Sequence, residues 1–573
     1  MNKSLNSKRA TACALLALAL AISGCSGGNS GKGAASQPAS SAPASASPAP
    51  SGEAAPSEAG EDPYFGKYEQ PVVVTTVRSQ DDTYKFDAGE SLDENVWTRT
   101  LESELNLKVK NLWVANGEQF GQKMNVSIAS GDLPEIIPVT AIQLKQLIDS
   151  DLIMDLTEVY EKHASPFLKE IMNQGGPEVL DSATFGGKLM ALPFTGSSQD
   201  GYSMYWVRTD WLDKLGLKAP ATIEEFVGVM EAFVKDDPDG NGKADTIGLS
   251  LSKGLFGVGY ATLEGFFNGY RAYPRLWLDD GSGNLAYGSI QPEVKEALAK
   301  ARELYAAGLI DQEFGVKDGG KAAELAASGK AGLHFGGMAN SIWPLQPSRH
   351  NDPNAQWQAF ALPSIDAEPA RTPHNLAVGT YYAVLKGAEH PEALVKALNV
   401  FVEKGWGKST TPEIYSEHFN KGGVERHKYP PFQAWPSRKN LDAHLSVSQA
   451  IQSGDTSRLN AEETDYYTRI QSYLNGGTET LDWAYDRVFG VDGSFSVINR
   501  YVEGDLVARN GFYGAPTPTM ASKKSTLDKI EEETFTRIIM GESIDLFDKF
   551  VADWKKLGGD QMTAEVNEWV KTK

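Results

Sequence analysis

The sequence QPVVVTTV at residues 70–77 decides the fold of this chain, because a β-branched run that follows a proline is typical of a strand. An Asp-rich loop follows, and then a segment whose apolar residues share one helical face, namely Val96, Trp97, Leu101 and Leu105. Residues 108–114, KVKNLWV, return to a strand pattern. Strand, helix and strand in this order predict a right-handed βαβ unit with a parallel strand pair. The fold class indicated is α/β.

The alternation of helix and strand patterns continues along the chain. Ser91 and Glu94 have the spacing of a capping box ahead of the first helix. A further strand is predicted at 135–139, and Thr222 and Glu225 have capping-box spacing ahead of a later helix. The last 50 residues have an almost wholly helical pattern, so we expect a helical C-terminus.

The composition argues against some classes of function. The chain has 573 residues, of which 54 are Lys or Arg and 75 are Asp or Glu, so its formal net charge is -21. Phosphate binding is driven by Lys and Arg that displace counterions, so this acidity disfavours a nucleic-acid partner. With 41% hydrophobic and 10% aromatic residues over such a length, we expect two or more globular domains.

The N-terminus has the pattern of an export signal. Three basic residues precede the apolar run 10–22, and small residues follow it. The run ends in Ile-Ser-Gly-Cys at 22–25, which resembles the lipobox of bacterial lipoproteins, in which the cysteine carries the lipid. We therefore predict a signal peptide at 1–24 and lipidation at Cys25. The alternative is an ordinary secretory signal with a chance cysteine.

Residues 25–62 predict a tether. After Cys25 this segment contains no Val, Ile, Leu, Met or aromatic residue, so it cannot bury enough apolar surface to fold. The only other cysteine, Cys13, leaves with the signal, so no disulfide or thiolate metal site is expected. We expect a protein on the extracellular face of the cell membrane, held by its lipid anchor alone, because an acidic chain gains no attraction to anionic lipid.

A loop at 237–245 has the spacing of a calcium site. Oxygen-bearing side chains occupy positions 1, 3, 5 and 9 of the EF-hand pattern, namely Asp237, Asp239, Asn241 and Asp245. Gly242 stands at position 6, and Lys243 at position 7 offers its backbone carbonyl. Position 12 is Gly248, so the usual bidentate Glu is missing. The sequence predicts a structural calcium ion, against the alternative of a bare Asp/Gly turn.

No motif of a common enzyme class is present in the sequence. The chain contains no HExxH zinc motif, no GxSxG nucleophile turn and no phosphate-binding loop. A pair of carboxylates like that of a glycosidase cannot be judged from the sequence. We therefore assign no catalytic residue.

The tryptophans fall into two groups. Three lie in segments rich in Pro, Gly or Ser, which favours exposure in a cleft: Trp277, Trp343 and Trp435. Four lie on helical periodicity, which favours burial in a core: Trp97, Trp211, Trp554 and Trp569. Because sugars present apolar C–H faces and a rim of hydroxyl groups, exposed aromatic rings together with polar side chains suit a carbohydrate site. Burial in a core remains an equally good interpretation of each tryptophan in the first group.

Several blocks of sequence resemble one known family. They are SGDLPEII at 130–137, FGGKLMALPF at 185–194, YWVRTDWLDKLGLKAPATIEEF at 205–226, DPDGNGKADTIGL at 237–249, ALAKARELYAAGLIDQEF at 297–314, SGKAGLHF at 328–335 and APTPTMASKKSTLDKIEEE at 515–533. In this order they resemble the family 1 extracellular solute-binding lipoproteins, the capture subunits of carbohydrate ABC importers, and among these the larger LplA-like members.

The resemblance implies a periplasmic-binding-protein-like fold with two α/β lobes, hinge crossovers and ligand bound between the lobes. It further implies a monomer that is not an enzyme, that binds an oligosaccharide and that hands it to the transmembrane subunits of an ABC permease. Two alternatives keep the fold: a surface polysaccharide-processing enzyme, and a peptide or sensor-coupled receptor.

The resemblance also suggests lobe boundaries and ligand contacts. We expect the N-lobe at 63–195 with a return at 366–430, and the C-lobe at 196–365 with its completion and the helical C-terminus at 431–573. In this family the ligand contacts loops at the carboxyl ends of strands. The stacking residues predicted there are Trp277, Trp343 and Trp435. The predicted polar partners are Arg78, Asp81, Arg275 and Asn340, and Arg275 would pair with an acidic sugar.

Overall fold

The computed structural model describes residues 62–80 and 83–573, and residues 61–573 form one compact unit. The predicted signal peptide, Cys25, nearly all of the tether and Asp81 lie outside the described residues. In the described part of the chain, no helix is both long enough and apolar enough to cross a membrane.

The first part of the chain forms β1 (Val72–Ser79), α1 (Val96–Leu105), β2 (Leu107–Ala115), α2 (Gly117–Ser130), β3 (Ile136–Val139), α3 (Ala141–Asp149), α4 (Thr157–His163), α5 (Pro166–Asn173), α6 (Glu178–Asp181), β4 (Thr184–Phe185), β5 (Lys188–Leu189) and β6 (Leu192–Pro193). The middle part forms β7 (Met204–Arg208), α7 (Thr209–Leu215), α8 (Ile223–Lys235), β8 (Tyr260–Thr262), α9 (Glu264–Gly269), β9 (Trp277–Asp279), β10 (Leu285–Tyr287), α10 (Pro292–Ala306), α11 (Gly319–Ala327), β11 (Leu333–Gly336), α12 (Gln346–Asn351), β12 (Trp357–Phe360) and β13 (Thr372–His374). The last part forms β14 (Tyr381–Val384), α13 (Glu392–Trp406), α14 (Pro412–His418), α15 (Lys439–Ser453), α16 (Ala461–Leu474), α17 (Thr480–Phe489), α18 (Ser494–Glu503), β15 (Val507–Arg509), α19 (Pro518–Ile539), α20 (Asp545–Trp554) and α21 (Asp560–Val570).

The predicted βαβ unit is confirmed. Strands β1 and β2 are parallel, with Val72 opposite Leu107, and α1 connects them. The helix is capped four residues later than predicted, because Asn95 and Thr98 form its capping box. The Ser91 hydroxyl instead accepts from the backbone N–H of Glu94 in the preceding turn, so the prediction of a cap by this pair is wrong.

Two large hydrophobic cores organise the described residues. We call the first the N-core; its buried residues come from 72–192 and 381–434 and surround β1, β2 and the sheet β3-β14-β6. We call the second the C-core; its buried residues come from 202–370 and 441–566 and surround the antiparallel sheet β12-β7-β11-β8. The chain therefore passes between the cores three times.

Three connecting segments carry the chain from one core to the other, and they are bonded to each other. We define them as residues 194–203, 371–380 and 433–440. The backbone N–H of Phe194 donates to the carbonyl of Thr380 at 2.8 Å, which joins the first segment to the second. The Thr195 hydroxyl donates to the carbonyl of Trp435 at 2.9 Å, which joins the first segment to the third. The passages between the cores thus form one hydrogen-bonded bundle.

The C-terminal residues form α19, α20 and α21, as the sequence predicts. These helices pack on the C-core through side chains such as Phe535, Phe550 and Trp554, each at most 2% exposed. The capping box of Thr222 and Glu225 on α8 is also confirmed.

Candidate functional site

A cavity of about 330 Å³ opens where strands of the N-core end, and we call it the strand-end pocket. Its wall is formed by the carboxyl ends of β1 and β3, the first turns of α2 and α3 and all three connecting segments. The lining residues are Val77, Arg78, Ser79, Tyr84, Gly117, Phe120, Gly121, Pro138, Val139, Thr140, Gln143, Phe194, Thr380, Tyr382, Pro430, Pro431 and Gln433. Aromatic rings and uncharged polar groups dominate this lining.

The helix ends that face this pocket are fixed by capping. Asn116 caps α2 by accepting from the backbone N–H of Gln119, and Thr140 and Gln143 form a capping box on α3. These caps place two helix N-termini at the edge where the strands end. In open α/β sheets such an edge is the usual place for a ligand.

Arg78 lines this pocket, but its guanidinium group is already engaged. Nη1 donates to the carbonyl of Tyr429 at 2.9 Å and Nη2 donates to the carbonyl of Lys428 at 3.0 Å. The side chain is 7% exposed, and its burial lowers its pKa. Arg78 thus braces the chain that leads into the third connecting segment. Its predicted neighbour Asp81 lies outside the described residues.

A second cavity, of about 370 Å³, lies between α14 and α16, and we call it the helix pocket. Its lining residues are Pro412, Tyr415, Ser416, Asn420, Ala461, Glu462, Asp465, Tyr466, Arg469 and Tyr485. Tyr415 packs against the N-core, whereas Tyr466 and Tyr485 pack against the C-core. The helix pocket is therefore built from both cores.

Each carboxylate of the helix pocket has a cationic partner. Lys439 Nζ lies 2.5 Å from Glu462 Oε1, which also accepts from the Tyr466 hydroxyl at 2.7 Å. Arg469 Nε donates to Asp465 Oδ2 at 2.8 Å. Because Lys439 belongs to the third connecting segment, its ion pair ties this segment to α16.

Trp343 is the predicted stacking residue whose side chain is mostly exposed to solvent. It is 60% exposed, and it follows the carboxyl end of β11 by a few residues. The same segment contains Asn340, which is 6% exposed and lies with Oδ1 3.2 Å from His334 Nε2. Burial lowers the pKa of His334 to about 3, so this imidazole is neutral and its Nε2–H donates to Asn340. Asn340 therefore holds the segment in place through its carboxamide oxygen, and its contact with ligand stays a prediction.

Trp277 is a core residue, so the prediction of an exposed ring is wrong. Only 3% of it is exposed, because β9 pairs with β10 and the indole packs 5.0 Å from the ring of Tyr287. The Tyr287 ring is in turn stacked on Trp554 of α20 at 4.8 Å. The C-terminal helices thus cover the segment that the sequence pattern predicts to be an exposed loop.

The Arg275 side chain is also engaged in contacts within the fold, although 29% of it is exposed. Its Nε donates at 2.9 Å to Oε1 of Glu531, a side chain on α19 with no exposed surface. Its guanidinium group lies 4.4 Å from the ring centre of Phe256. Removing Arg275 would leave a buried carboxylate without its partner, so this residue secures α19, and its pairing with an acidic sugar stays a prediction.

Trp435 is half-buried in an aromatic cluster of the N-core. Its ring meets Trp406 at 5.2 Å and Phe419 at 5.9 Å, both edge to face. Its Nε1 donates at 2.9 Å to Gln433, which lines the strand-end pocket. Trp435 therefore packs next to the wall of this pocket, and its role as a stacking residue stays a prediction.

The loop at 237–245 folds around Asn241. The Asn241 Nδ2 group donates to Asp239 at 2.6 Å and to Asp245 at 3.0 Å, while Asp237 accepts from the backbone N–H of Gly242 at 3.0 Å. Burial and the nearby Asp237 carboxylate raise the pKa of Asp239. Lys243 is exposed, and its backbone N–H donates to Asn241 at 2.7 Å.

This loop supplies the oxygen donors that calcium prefers, but they do not meet at one point. Among residues 62–80 and 83–573, no three His, Cys, Asp or Glu side chains are gathered in a group that could hold a metal ion. The carboxylates of Asp239 and Asp245 instead share the carboxamide of Asn241. Three acidic side chains around one neutral carboxamide are a donor set that suits a hard divalent cation.

The sequence interpretation missed the tyrosines of both pockets. Tyr382 and Tyr84 line the strand-end pocket, and Tyr415, Tyr466 and Tyr485 line the helix pocket. One signal was available for α16, whose sequence AEETDYYTRIQSYL has tyrosine as its only aromatic residue type, set among charged residues. Each tyrosine combines an apolar ring with a polar hydroxyl group, and such side chains suit contact with polar ligands.

Comparisons with known proteins identify the class. Residues 86–408, more than half of the chain, match the family model described as bacterial extracellular solute-binding protein. Lipoprotein LipO of Bacillus subtilis (strain 168) is 29% identical over 485 residues, which cover 83% of this chain and 89% of LipO. The polygalacturonan/rhamnogalacturonan-binding protein YtcQ of the same strain is 26% identical over 493 residues, which cover 82% of this chain and 87% of YtcQ.

A solved structure shows the same fold. The substrate-binding protein FusA of Streptococcus pneumoniae, solved as an EF-hand mutant in complex with fructo-nystose, aligns with a TM-score of 0.55 and 17% identity. The alignment covers 87% of this chain and 99% of that chain. The α/β fold of the two-lobe solute-binding proteins, which the sequence resemblance implies, is thereby confirmed.

Proposed function

Because the chain belongs to the family of bacterial extracellular solute-binding proteins, we propose that it captures an oligosaccharide between its two cores for an ABC importer. The observation that carries this proposal is the strand-end pocket. It joins strand ends, helix N-termini and all three connecting segments, so a ligand there contacts the parts of the chain that link the cores. Its aromatic and uncharged polar lining matches the C–H faces and hydroxyl groups of a sugar.

In this proposal the two cores are the two lobes. The N-lobe comprises 63–195 and 366–430, and the C-lobe comprises 196–365 and 431–573. The N-core extends to Phe432 and Ala434, and the C-core includes Ala370, so each boundary falls within a connecting segment or a few residues from it. Ligand binds one lobe first, the connecting segments bend, and the closed form is recognised by the transmembrane subunits of the permease.

We also propose that the mature protein is a monomer held on the outer face of the cell membrane by lipid on Cys25. Support comes from the Ile-Ser-Gly-Cys pattern at 22–25 and from LipO, a relative that is named a lipoprotein. The apolar-free segment that follows Cys25 would act as the tether between the lipid and the folded residues.

We propose further that the loop at 237–245 binds a structural calcium ion. Asp237, Asp239, Asn241 and Asp245 would supply side-chain oxygens, and Lys243 would supply its backbone carbonyl. The nearby carboxylates support this assignment, because a divalent cation relieves their repulsion. That FusA was solved as an EF-hand mutant is consistent with a loop of this type in a structural neighbour. The ion would pin the end of α8 to the chain that follows it.

The alternative of a polysaccharide-processing enzyme has no supporting observation. Both carboxylates of the helix pocket are paired with cations, which leaves neither as an obvious acid for glycoside cleavage. The curated relative YtcQ is named a binding protein. The receptor alternative shares the cleft and differs only in its ligand.

Calorimetry with a panel of oligosaccharides tests the proposed function. We expect at least one di- to hexasaccharide to bind the purified protein and to be recovered intact after prolonged incubation with a catalytic amount of it. A matched panel of oligopeptides should give no heat. Shortened or unsaturated sugar products would establish an enzyme, and binding of peptides alone would establish the receptor alternative.

A further inference from the structure

We infer that Gln433 is a specificity-determining residue of the strand-end pocket and that Trp435 is the positioning residue that leaves the Gln433 NH2 group for the ligand. The inference rests on the proposed function. It adds the chemistry that the ligand presents to Gln433, which is a hydrogen-bond acceptor.

The Gln433 carboxamide has one orientation, because its oxygen is already bonded. Trp435 Nε1 lies 2.9 Å from Gln433 Oε1. An indole N–H can only donate a hydrogen bond, and of the two ends of a carboxamide only the oxygen can accept one. Gln433 Nε2 has no hydrogen-bond partner among residues 62–80 and 83–573. Since Gln433 lines the strand-end pocket, its NH2 group is the end that remains for a ligand there.

Trp435 is itself held on several sides, so it can fix the side chain of Gln433. Its backbone carbonyl accepts from the Thr195 hydroxyl at 2.9 Å, and its backbone N–H donates to the carbonyl of Thr195 at 3.3 Å. Its ring packs edge to face against Trp406 and Phe419. These contacts join the first and third connecting segments and keep the indole N–H directed at Gln433.

Tyr382 provides a second donor beside Gln433. The Tyr382 hydroxyl oxygen accepts from the backbone N–H of Gln433 at 3.2 Å, and in the described part of the chain its proton has no acceptor. Burial raises the pKa of Tyr382 to about 12, so this phenol stays protonated at neutral pH. Tyr382 and Gln433 both line the strand-end pocket. Two neighbouring donors suit one acceptor of the ligand, such as a ring oxygen, a hydroxyl oxygen or a carboxylate.

The lining offers no anionic acceptor of its own to these donors. Among the described residues that line the strand-end pocket there is no Asp or Glu, and the one charged side chain is Arg78. Both terminal nitrogens of Arg78 donate to backbone carbonyls, so the guanidinium group does not compete as the bidentate partner of a ligand. Recognition of a ligand acceptor in this pocket therefore falls to Gln433 and Tyr382.

The same substitution at two tryptophans of one cluster tests the positioning role. Trp435→Phe removes the Nε1–H donor and keeps an aromatic ring, so the Gln433 carboxamide becomes free to rotate. We expect its affinity for the saccharide that binds best in the calorimetry panel to fall about three- to tenfold. Trp406→Phe is the matched control and should leave the affinity unchanged. Trp406 packs 5.2 Å from Trp435, and in the part of the chain that the structure describes its buried Nε1 has no hydrogen-bond partner.

Variants of Gln433 test the polarity of the contact. Gln433→Met keeps the length of the side chain and removes its NH2 group, so the affinity should fall about three- to tenfold. In Gln433→Glu one carboxylate oxygen still accepts from Trp435, and the other turns a charged acceptor toward the pocket. The loss should then exceed that of Gln433→Met and reach about tenfold or more. In the Gln433→Met background, Trp435→Phe should cause no further loss, because the group that it positions is gone.

The melting temperature of each ligand-free variant shows whether it is folded, and the affinities then decide. If Gln433→Met binds like the wild type, or Gln433→Glu binds as tightly or more tightly, the ligand does not accept from Gln433 and the inference is overturned while the binding function stands. If Trp406→Phe weakens binding as much as Trp435→Phe, packing is the cause and Trp435 does not position Gln433. If no saccharide binds the wild type, the proposed function falls and this inference with it.

Discussion

The contrast between Trp343 and Trp277 shows how burial decides the role of an aromatic side chain. Trp343 keeps 60% of its surface in solvent, whereas Trp277 keeps 3% and is packed beneath Tyr287 and Trp554. An exposed ring costs the fold little to lose and can stack on a ligand. A buried ring fills space in a closely packed core, so its removal leaves a cavity.

We therefore predict opposite effects for Trp343→Ala and Trp277→Ala. Trp343→Ala should weaken saccharide binding about two- to tenfold and leave the stability of the ligand-free protein nearly unchanged, because a stacking contact is worth about 0.5–1.5 kcal/mol. Trp277→Ala should lower the free energy of unfolding by about 3–5 kcal/mol. Calorimetry and urea denaturation measure the two effects. Equal affinity for Trp343→Ala and wild type would remove Trp343 from the site.

The environment of a tryptophan in a Pro- or Gly-rich segment could not be predicted from the local sequence. The burial of Trp277 depends on α20, which comes near the end of the chain, and the engagement of Arg275 depends on Glu531 of α19. Such contacts are set by tertiary packing, which cannot be inferred from the flanking residues. Arg78 was placed correctly at a strand end because a strand and its direction can be read locally.

Local capping and strand patterns determine most of the individual elements. The β1-α1-β2 unit and the Thr222–Glu225 capping box follow from residue spacing alone, because both depend on neighbours within a few positions. The cap of α1 was misplaced because Ser91 and Asn95 are both good caps, and only the course of the preceding turn decides between them. The loop after α8 likewise has a clear pattern, but the pattern does not show whether an ion is present.

Calcium should stabilise the protein through the loop at 237–245. At free calcium 100 times the dissociation constant, one site adds about 2.7 kcal/mol to the free energy of unfolding. We expect chelation with EDTA to lower the melting temperature and added calcium to restore it. Asp239→Asn should abolish this response.

Asp280→Asn is the control for the calcium experiment. Asp280 lies in the Asp/Gly turn between β9 and β10, where it accepts from the backbone N–H groups of Ser282 and Asn284. This variant should keep the full calcium response. A melting temperature that is the same with and without calcium in the wild type, together with no metal found by elemental analysis, would leave the loop as a plain Asp/Gly turn.

At the scale of the whole molecule, the described residues join the two cores through the three connecting segments and through contacts beside them. The three connecting segments are bonded to each other, and beside them α14 meets α16 across the helix pocket. The sequence indicated two or more domains from its length and composition, but the family resemblance was needed to expect a chain that crosses between them repeatedly. Long-range crossings of this kind depend on contacts far apart in sequence, which periodicity does not report.

This arrangement predicts that ligand changes the distance between the cores. A saccharide that contacts both the strand-end pocket and the helix pocket binds the closed form more tightly than the open form, and a ligand can shift an equilibrium only by that difference in affinity. We expect small-angle X-ray scattering to show a smaller radius of gyration at saturating ligand. Trp343→Ala should reach the same compact value only at higher ligand concentration, because its closed state is unchanged while its affinity is lower.

A peptide that gives no heat in calorimetry serves as the control and should leave the radius of gyration unchanged. If calorimetry shows full occupancy while the scattering curve stays that of the ligand-free protein, binding does not close the cores, and the helix pocket and strand-end pocket do not act on the same ligand.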